Sequence, residues 1–336
     1  EAGQFFGGRV YEHMPGEQAV PGQLGIDAHL KAVPGVGAGV AVALVNFLVG
    51  QVGLHLAQQA VELLRVYGGV LVAPPDIFFA PGQLVPIICP KNTIVMIHDS
   101  AFKAYPHAYH FCGRQYLKWM NRLIIRKAKV ILTSTEFNKR ELMKFYGNEV
   151  SEKIVVVPLA YDKNKFFNVI LNEAPTKSGR SEESLVCQPY IISIGRLEEK
   201  KNTKRIIQAF NLLRSRSQKS ARSSATSLLG EVGREVQLLL VGTPGTGYQE
   251  VKKEINNSPY RKDIVIPGWI GSDKLPNLLQ SAVAFVFPSL YEGFGLPALE
   301  AMACGCPVVL SNNNALQEVG GEAGVYVDPL DTEEIA

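Results

Sequence analysis

Two glutamates and two glycines follow one apolar stretch of the chain in an order that suits the binding of a phosphorylated sugar. The apolar run Ala282 to Phe287 has the composition of a strand, and Gly293 and Gly295 precede a proline that can open a helix. The free N–H groups and the positive dipole end of such a helix form a cradle for an anion. Glu292 and Glu300 would repel a phosphate, so we expect them to accept hydrogen bonds from hydroxyls. A nucleotide sugar offers both hydroxyls and a diphosphate.

Two cations follow a second apolar run of the same kind. Tyr190 to Ile194 ends in Gly195, and Arg196 and Lys201 come soon after it. A guanidinium and an ammonium that face a diphosphate would neutralise the charge that builds on a leaving nucleoside diphosphate. The alternative is a pair of solvated cations at the start of a helix, and the flanking motifs favour the phosphate role.

The residues with candidate chemistry all lie at the ends of short β-branched runs that alternate with helical patterns. The runs are Ile94–Ile97, Val130–Leu132, Ile154–Val157, Tyr190–Ile194, Gln237–Val241, Ile264–Ile266, Val283–Phe287 and Val308–Leu310. Continuous apolar strands separated by helices predict an α/β fold whose parallel sheets are covered on both faces. Ligands of such sheets bind at the carboxyl ends of the strands, where these motifs lie.

Several of these motifs, in order, resemble family four of the retaining nucleotide-sugar glycosyltransferases. The donor signature of that family resembles Pro288 to Gly305, and its Gly-Arg and Lys-Asn strand end resembles Tyr190 to Asn202. Further matches are Gln237 to Gly242, Pro267 to Ile270 with Leu275 to Leu279, Ile94 to Asp99, Val130 to Glu136 and Ile154 to Pro158. The likeness covers roughly Asp76 to Ile335.

The resemblance implies a GT-B architecture, in which two Rossmann-like domains face a cleft. It implies an enzyme that moves a hexose from a nucleoside diphosphate sugar to a hydroxyl acceptor, with retention. A lipid-linked or polysaccharide glycan is the expected acceptor, and a mannosyltransferase of polysaccharide biosynthesis the expected type. Mannose, glucose and rhamnose donors all stay open. No cofactor besides the donor is expected. Because no Asp-x-Asp motif follows a strand, basic side chains and a helix dipole would replace a metal ion.

The resemblance also assigns roles to individual residues. Arg196 and Lys201 match the side chains that hold the donor phosphates, while Glu300 matches the ligand of the ribose hydroxyls. Glu292 matches the glutamate beside the transferred sugar, and His98 matches a histidine that faces the reacting sugar. The remaining donor-binding candidates are Gly242, Gly293, Phe294, Gly295 and Leu296, of which Phe294, Gly295 and Leu296 would offer backbone N–H groups.

Each assignment has a simpler alternative. Glu292 could be an ordinary turn carboxylate, and His98 could be merely packed at a strand end, with Asp99 next to it as a candidate for orienting the ring. Ser134 or Thr135 is as suited to capping a helix as to contacting a ligand.

The chain divides into four predicted segments. Residues 1–75 form an atypical N-terminal segment, 76–165 the acceptor-side domain, 166–188 a linker, and 189–336 the donor-binding domain. Residues Gln23 to Val52 resemble a divergent first strand, glycine loop and helix, and the glycines there disfavour a membrane span. Because the family continues with further helices after Asp331, the donor domain is expected to be truncated at its C-terminus. Arg214 to Arg234, rich in Ser, Arg and Lys, is predicted as a mobile surface loop.

Composition bounds the class of protein. A chain of 336 residues with 46% hydrophobic and 19% charged residues is globular and long enough for two domains. The net charge of +3 gives no support for binding nucleic acid. Five cysteines without a Cys-x-x-Cys pair suit free thiols in a reducing cytoplasm. The first residues lack the short apolar core and cleavage site that would predict a secretory signal.

One predicted helix carries a face of cations. Arg114, Lys118, Arg122 and Arg126 recur at helical spacing, and no acid occurs from Phe111 to Lys129. Such a helix could rest on an anionic membrane at its inner face, where a lipid-linked acceptor is presented. The alternative is a solvated helix face.

Two other functions compete with transfer. A non-catalytic or truncated relative could bind nucleotide sugar or glycan without transferring it, as the unusual ends of the chain suggest. A dinucleotide oxidoreductase is disfavoured because no Gly-x-Gly-x-x-Gly with a following acidic ribose ligand is present.

Overall fold

The computed structural model describes residues 76–83, 85, 90–166, 188–222 and 236–336. The side chains of residues 219–222 are outside this description. The predictions for residues 1–75, and for most of the linker, therefore lie outside the described residues.

Within the described residues, the first sheet has four parallel strands in the order β1-β2-β3-β4. The strands are β1 (Phe78–Ala80), β2 (Thr93–Met96), β3 (Val130–Thr133) and β4 (Ile154–Val156). The helices beside them are α1 (Ala101–Ala104), α2 (Phe111–Lys127) and α3 (Glu136–Tyr146). A short helix, α4 (Lys163–Phe166), follows β4, and its Phe166 is buried in the core of the second sheet. Val95 pairs with Ile131 in register, and both side chains are fully buried beneath Ile124 of α2 and Leu142 of α3.

The second sheet, again among the described residues, has six parallel strands in the order β10-β9-β8-β5-β6-β7. The strands are β5 (Tyr190–Ile194), β6 (Gln237–Val241), β7 (Ile264–Gly268), β8 (Ala284–Phe287), β9 (Val308–Ser311) and β10 (Gly324–Val327). The helices are α5 (Thr203–Arg222), α6 (Tyr248–Asn257), α7 (Leu275–Gln280), α8 (Leu296–Ala303), α9 (Leu316–Gly320) and α10 (Thr332–Ile335).

Apolar side chains cover both faces of the second sheet. Phe285 and Phe287 point into one cluster with Ala298 and Ala301 of α8, while Val286 joins a second cluster with Ile207 of α5. A strand whose successive residues pack on opposite sides needs helices on both, as the uninterrupted apolar sequence of β8 requires. The predicted α/β fold with parallel sheets is confirmed, and the exact domain boundaries stay predictions.

One sequence-based expectation is wrong. The first part of the supposed mobile loop, Arg214 to Arg222, is the C-terminal half of α5. Arg214 is buried, donates a 2.7 Å hydrogen bond to the Val236 carbonyl and forms a 2.9 Å ion pair with Asp263. The helix continues because the buried face formed by Ile207 and Phe210 runs on through Arg214 and Ser217, whose polar side chains do not mark a helix core in the sequence.

In the part of the chain that the structure describes, no helix is both long enough and apolar enough to span a membrane.

Candidate functional site

A buried ion pair lies between the carboxyl ends of two adjacent strands. Lys201 follows β5 and Glu292 follows β8, and the Lys201 Nζ atom lies 2.5 Å from Glu292 Oε1. The two side chains are only 19% and 10% exposed, so water screens the pair weakly. Nζ also lies 4.8 Å from the centre of the Phe287 ring. An ammonium has three donors and a carboxylate several lone pairs, so both groups keep capacity for a further partner.

Asn202 holds the two loops of this pair together. Among the residues that the structure describes, Asn202 is the only one other than glycine with a positive φ, which is 60°. Its amide donates hydrogen bonds of 2.9 Å to the Pro288 carbonyl and 2.6 Å to the Pro329 carbonyl. The Leu290 N–H also donates to the Lys200 carbonyl, at 2.9 Å. The left-handed conformation is tolerated by asparagine better than by most residues, and it places Lys201 opposite Glu292.

Glycines let the neighbouring strand ends approach each other. Gly195 and Gly242 end β5 and β6 with φ values of 149° and 147°. A Cβ atom on Gly242 would overlap the carbonyl oxygen of Gly195. This edge of the sheet is therefore lined by bare backbone, which an anion or a sugar can approach closely.

The anion cradle predicted from the sequence would lie at the start of α8. Gly295 is the N-cap residue with φ 98°, and the first helical hydrogen bonds run from the Ala298 and Leu299 N–H groups to the Gly295 carbonyl. The Leu296 N–H precedes those bonds, and Pro297 has none to offer. A side chain at Gly295 would overlap Leu316, so the turn needs glycine for both its conformation and its packing.

Gly293 joins this turn to the first sheet. Its carbonyl accepts hydrogen bonds from Ser134 Oγ at 3.1 Å, Thr135 Oγ1 at 3.0 Å and Asn138 Nδ2 at 2.6 Å. These donors come from the start of α3, next to β3. A Cβ atom on Gly293 would overlap the carbonyl oxygen of His98. The turn that carries Glu292 is thus in direct contact with the strand end that carries His98.

His98 is exposed at the end of β2. Its Nε2 atom lies 3.0 Å from the Pro81 carbonyl. Because a carbonyl only accepts, this hydrogen bond requires a proton on Nε2. Asp99 does not orient the ring, as the sequence suggested it could: its Oδ1 accepts from the Ala101 N–H at 3.0 Å.

Tyr291, next to Glu292 in the same turn, makes aromatic contacts with residues on the side of the first sheet. Its ring lies 5.9 Å from that of Tyr105 and 5.7 Å from that of Phe137, centre to centre. Its hydroxyl accepts a 3.3 Å hydrogen bond from the Ser100 N–H, and the Tyr105 hydroxyl donates to the Leu290 carbonyl at 3.1 Å. Burial raises the pKa of Tyr291, so the hydroxyl stays protonated.

Arg196 and Glu300 interact with charged residues other than the central pair. Arg196 is 64% exposed and makes its ion pair with Glu198, at 3.8 Å. Glu300 is half-buried on α8, where desolvation raises the pKa of its carboxyl group and Lys165 partly opposes that rise.

Comparisons with known proteins place the chain in a family. The family model described as "Glycosyl transferases group 1" matches residues 179–336. The "O-antigen chain mannosyltransferase B" of Escherichia coli is 30% identical over 284 residues, which are 84% of this chain and 67% of the relative. The chain belongs to the group 1 glycosyl transferases. The "Mannosylfructose-phosphate synthase" of Agrobacterium fabrum is 25% identical over 63% of this chain, which spans only 44% of that relative.

Two solved structures share the fold of this group 1 chain. WaaG, described as "a glycosyltransferase involved in lipopolysaccharide biosynthesis", superposes with a TM-score of 0.60 at 15% identity, covering 83% of this chain and 72% of WaaG. Anabaena HepE, solved with UDP-glucose, gives 0.55 at 18% identity, covering 73% and 60%. The predicted GT-B architecture and glycosyltransferase class are confirmed.

The structure of this group 1 glycosyltransferase brings some of the predicted site residues together and leaves others separate. Lys201 and Glu292 are in contact, and Gly293 contacts the backbone of His98. Arg196 pairs with Glu198 instead of with Glu292. The roles of all the predicted site residues toward a ligand stay predictions. No group of three or more His, Cys, Asp or Glu side chains suited to a metal ion occurs among the described residues.

Two residues at the contact between the sheets escaped the sequence analysis. Asn138 bridges the carbonyls of His98 and Gly293, at 2.7 and 2.6 Å. Glu318 binds the start of α3 from the other sheet. A polar residue at the fourth position after the Ser134 strand end was the available signal for Asn138, whereas nothing local marks Glu318.

Proposed function

We propose that this chain transfers a hexose from a nucleoside diphosphate sugar to a hydroxyl of a glycan acceptor, with retention at the anomeric carbon. The donor diphosphate lies at the glycine-lined ends of β5 and β6 and at the start of α8. The acceptor, a lipid-linked or polysaccharide glycan, approaches from the side of His98. Because two of the relatives are named for mannosyl transfer or a mannosyl product, a mannose donor is the first to test.

The contact between Lys201 and Glu292 carries this proposal. The ammonium can keep one hydrogen bond to Glu292 while its other protons bind donor phosphate. Glu292 is held in place by that bond, and its free lone pairs can accept from ring hydroxyls of the sugar. The same carboxylate can stabilise positive charge that develops at the anomeric carbon during transfer.

Departure of the nucleoside diphosphate needs compensating positive charge. Arg196 is exposed on a loop next to Gly195, so its guanidinium can turn from Glu198 to the phosphates. Together with Lys201 and the start of α8 it supplies fixed positive charge where the leaving group becomes more negative. The proposed mechanism is therefore metal-independent.

A donor screen tests the proposal. Thermal unfolding would be followed in the presence of UDP-, GDP- and dTDP-sugars, since a ligand that binds only the folded chain raises the midpoint. We expect one nucleotide class to stabilise the protein, and the corresponding sugar to be transferred with its anomeric configuration kept, as read by proton NMR. Stabilisation without transfer would favour a binding protein, and no response to any nucleotide would contradict the proposal.

Glu300 and Arg196 should separate donor binding from turnover. Glu300→Ala should weaken donor affinity roughly 10-fold, because a charged acceptor for ribose hydroxyls is lost. Since the pKa of the Glu300 carboxyl is raised, donor affinity of the wild type should fall on acidification at a higher pH than for an ordinary glutamate. Arg196→Ala should leave affinity nearly unchanged and lower kcat about 100-fold. Equilibrium binding measures the donor affinity of each variant, and steady-state kinetics measures its kcat. If the two variants lost affinity and kcat to the same extents, these separate roles would be contradicted.

We also propose that α2 rests on an anionic membrane. Exposed aromatic side chains accompany the predicted cations along it: Phe111, Tyr116 and Trp119. Trp119 lies three and seven residues before the exposed Arg122 and Arg126, so the three share one face. An aromatic anchor beside cations suits the interface of an anionic bilayer.

Charge reversal tests this surface. The double variant Arg122→Glu/Arg126→Glu should bind vesicles of phosphatidylcholine and phosphatidylglycerol at least about 10-fold more weakly than the wild type, measured by vesicle flotation. Lys252→Glu/Lys253→Glu makes the same charge change on the exposed face of α6 and should have little effect. Equal losses in the two variants would show that only net charge matters and would contradict the assignment to α2.

A further inference from the structure

The carboxylate of Glu318 binds the start of a helix that belongs to the other sheet. Oε2 accepts from the Glu136 N–H at 2.7 Å, and Oε1 accepts from the Phe137 N–H at 2.6 Å. Arg140, one turn along the same helix, donates to Oε1 at 3.2 Å. Glu318 itself lies on α9, beside the second sheet.

The first turn of α3 is therefore capped from two sources. Glu136 and Phe137 are its first two residues, and their N–H groups have no partner within the helix. The third N–H group, that of Asn138, is capped by Thr135, whose Oγ1 accepts from it at 3.1 Å. The side chains that cap a helix start commonly lie at the N-cap position itself, as Thr135 does. Here a carboxylate about 180 residues later in the chain completes the cap, and its negative charge interacts favourably with the positive end of the helix dipole.

The residues at the start of α3 also hold the turn that carries Glu292 and Gly293. Ser134, Thr135 and Asn138 all donate to the Gly293 carbonyl, next to Glu292. Asn138 also donates to the His98 carbonyl. A shift of this helix start would move the Gly293 peptide relative to His98, and Glu318 is a charged contact that opposes such a shift.

We propose that Glu318 is a positioning residue: by binding the first two amides of α3, it fixes the helix turn that holds the Glu292–Gly293 turn against the strand end of His98. Glu318 itself does not touch the donor. The consequence for catalysis rests on the proposed function, whereas the mechanical link between Glu318 and Gly293 does not.

The link is tested without any substrate. Glu318→Gln keeps the size of the side chain, yet its amide nitrogen cannot accept a hydrogen bond and its charge is gone. Hydrogen–deuterium exchange followed by mass spectrometry should show faster exchange, about 10-fold, in peptides covering residues 134–140 and residues 290–296. Glu322→Gln, an exposed glutamate on the turn after α9, is the matched control and should change neither. Unchanged exchange over residues 290–296 in Glu318→Gln would overturn the proposal.

The kinetic consequence is measured with GDP-mannose, or with whichever nucleotide sugar the thermal screen selects. Glu318→Gln should lower kcat for transfer about 10-fold and leave donor affinity within twofold of the wild type, because the donor contacts on the second sheet are intact. Glu318→Asp, which keeps the charge, should recover part of the rate. Equal kcat in wild type and Glu318→Gln, or a matching loss of donor affinity, would show that Glu318 does not position the turn. Should the wild type itself transfer nothing, the exchange result still decides the link.

Discussion

Lys201→Met should destabilise the fold by about 3–5 kcal/mol and abolish most donor binding. The substitution leaves Glu292 as a buried carboxylate without its cation, and an uncompensated buried charge is strongly destabilising. The pair is short and only slightly exposed, so solvent cannot replace the lost partner easily. Urea unfolding followed by circular dichroism measures the change in the free energy of unfolding, and calorimetry measures donor binding.

A double-mutant cycle shows whether the loss belongs to the pair. Lys201→Met/Glu292→Gln removes both charges and should be clearly less destabilised than the sum of the two single variants. Lys204→Met is the matched control, because Lys204 pairs with Glu250 at 3.5 Å on the surface, with both side chains well exposed. Breaking that pair should change stability by about 1 kcal/mol or less. A Lys201→Met effect no larger than the control would sink the buried-pair interpretation.

Gly293→Ala should reduce transfer about 100-fold or more. The added Cβ would overlap the His98 carbonyl oxygen and lie 2.7 Å from Asp99 Cβ, so the turn must move away from the first sheet. This movement breaks the three hydrogen bonds to the Gly293 carbonyl and displaces Glu292. Misplacement of a catalytic group by about 1 Å can lower a rate by that factor. Initial rates at saturating donor and acceptor measure the loss.

Gly113→Ala is the control for this change. Gly113 lies in α2 with nothing within 4 Å of its added Cβ, so alanine should stabilise the helix slightly. Both variants should remain folded by circular dichroism. A Gly293→Ala protein with wild-type kcat would mean that the contact between the turn and His98 is unimportant for transfer.

Local sequence patterns predicted the fold well because parallel strands buried on both faces leave a clear apolar signature. The run Val283–Phe287 predicted β8 to within one residue, and the run Ile154–Val157 predicted β4 equally closely. The failure at Arg214 has a physical cause: a guanidinium paired with Asp263 can be buried, so polar composition alone did not mark a loop.

The site was predictable only where its chemistry is local in sequence. Glu292, Gly293 and Gly295 stand together in one segment, so their proximity was visible at once. The contact of Glu292 with Lys201 spans 91 residues, and the cap by Glu318 spans about 180. Such contacts depend on strand order and on the packing of two sheets, which no local pattern encodes. Asn202 was quoted only as part of a motif, and its left-handed backbone becomes visible only in three dimensions.

In the second sheet β5 lies between β6 and β8, and its Ile191 pairs with Ala284 of β8. On the ribosome, the polypeptide that has just emerged with Lys201 must therefore wait for some ninety further residues before Glu292 exists to meet it. Sequence-distant pairing of this kind slows folding and leaves apolar edges uncovered in the meantime. Nascent fragments that end before β8 should consequently be the species that chaperones retain and proteases remove.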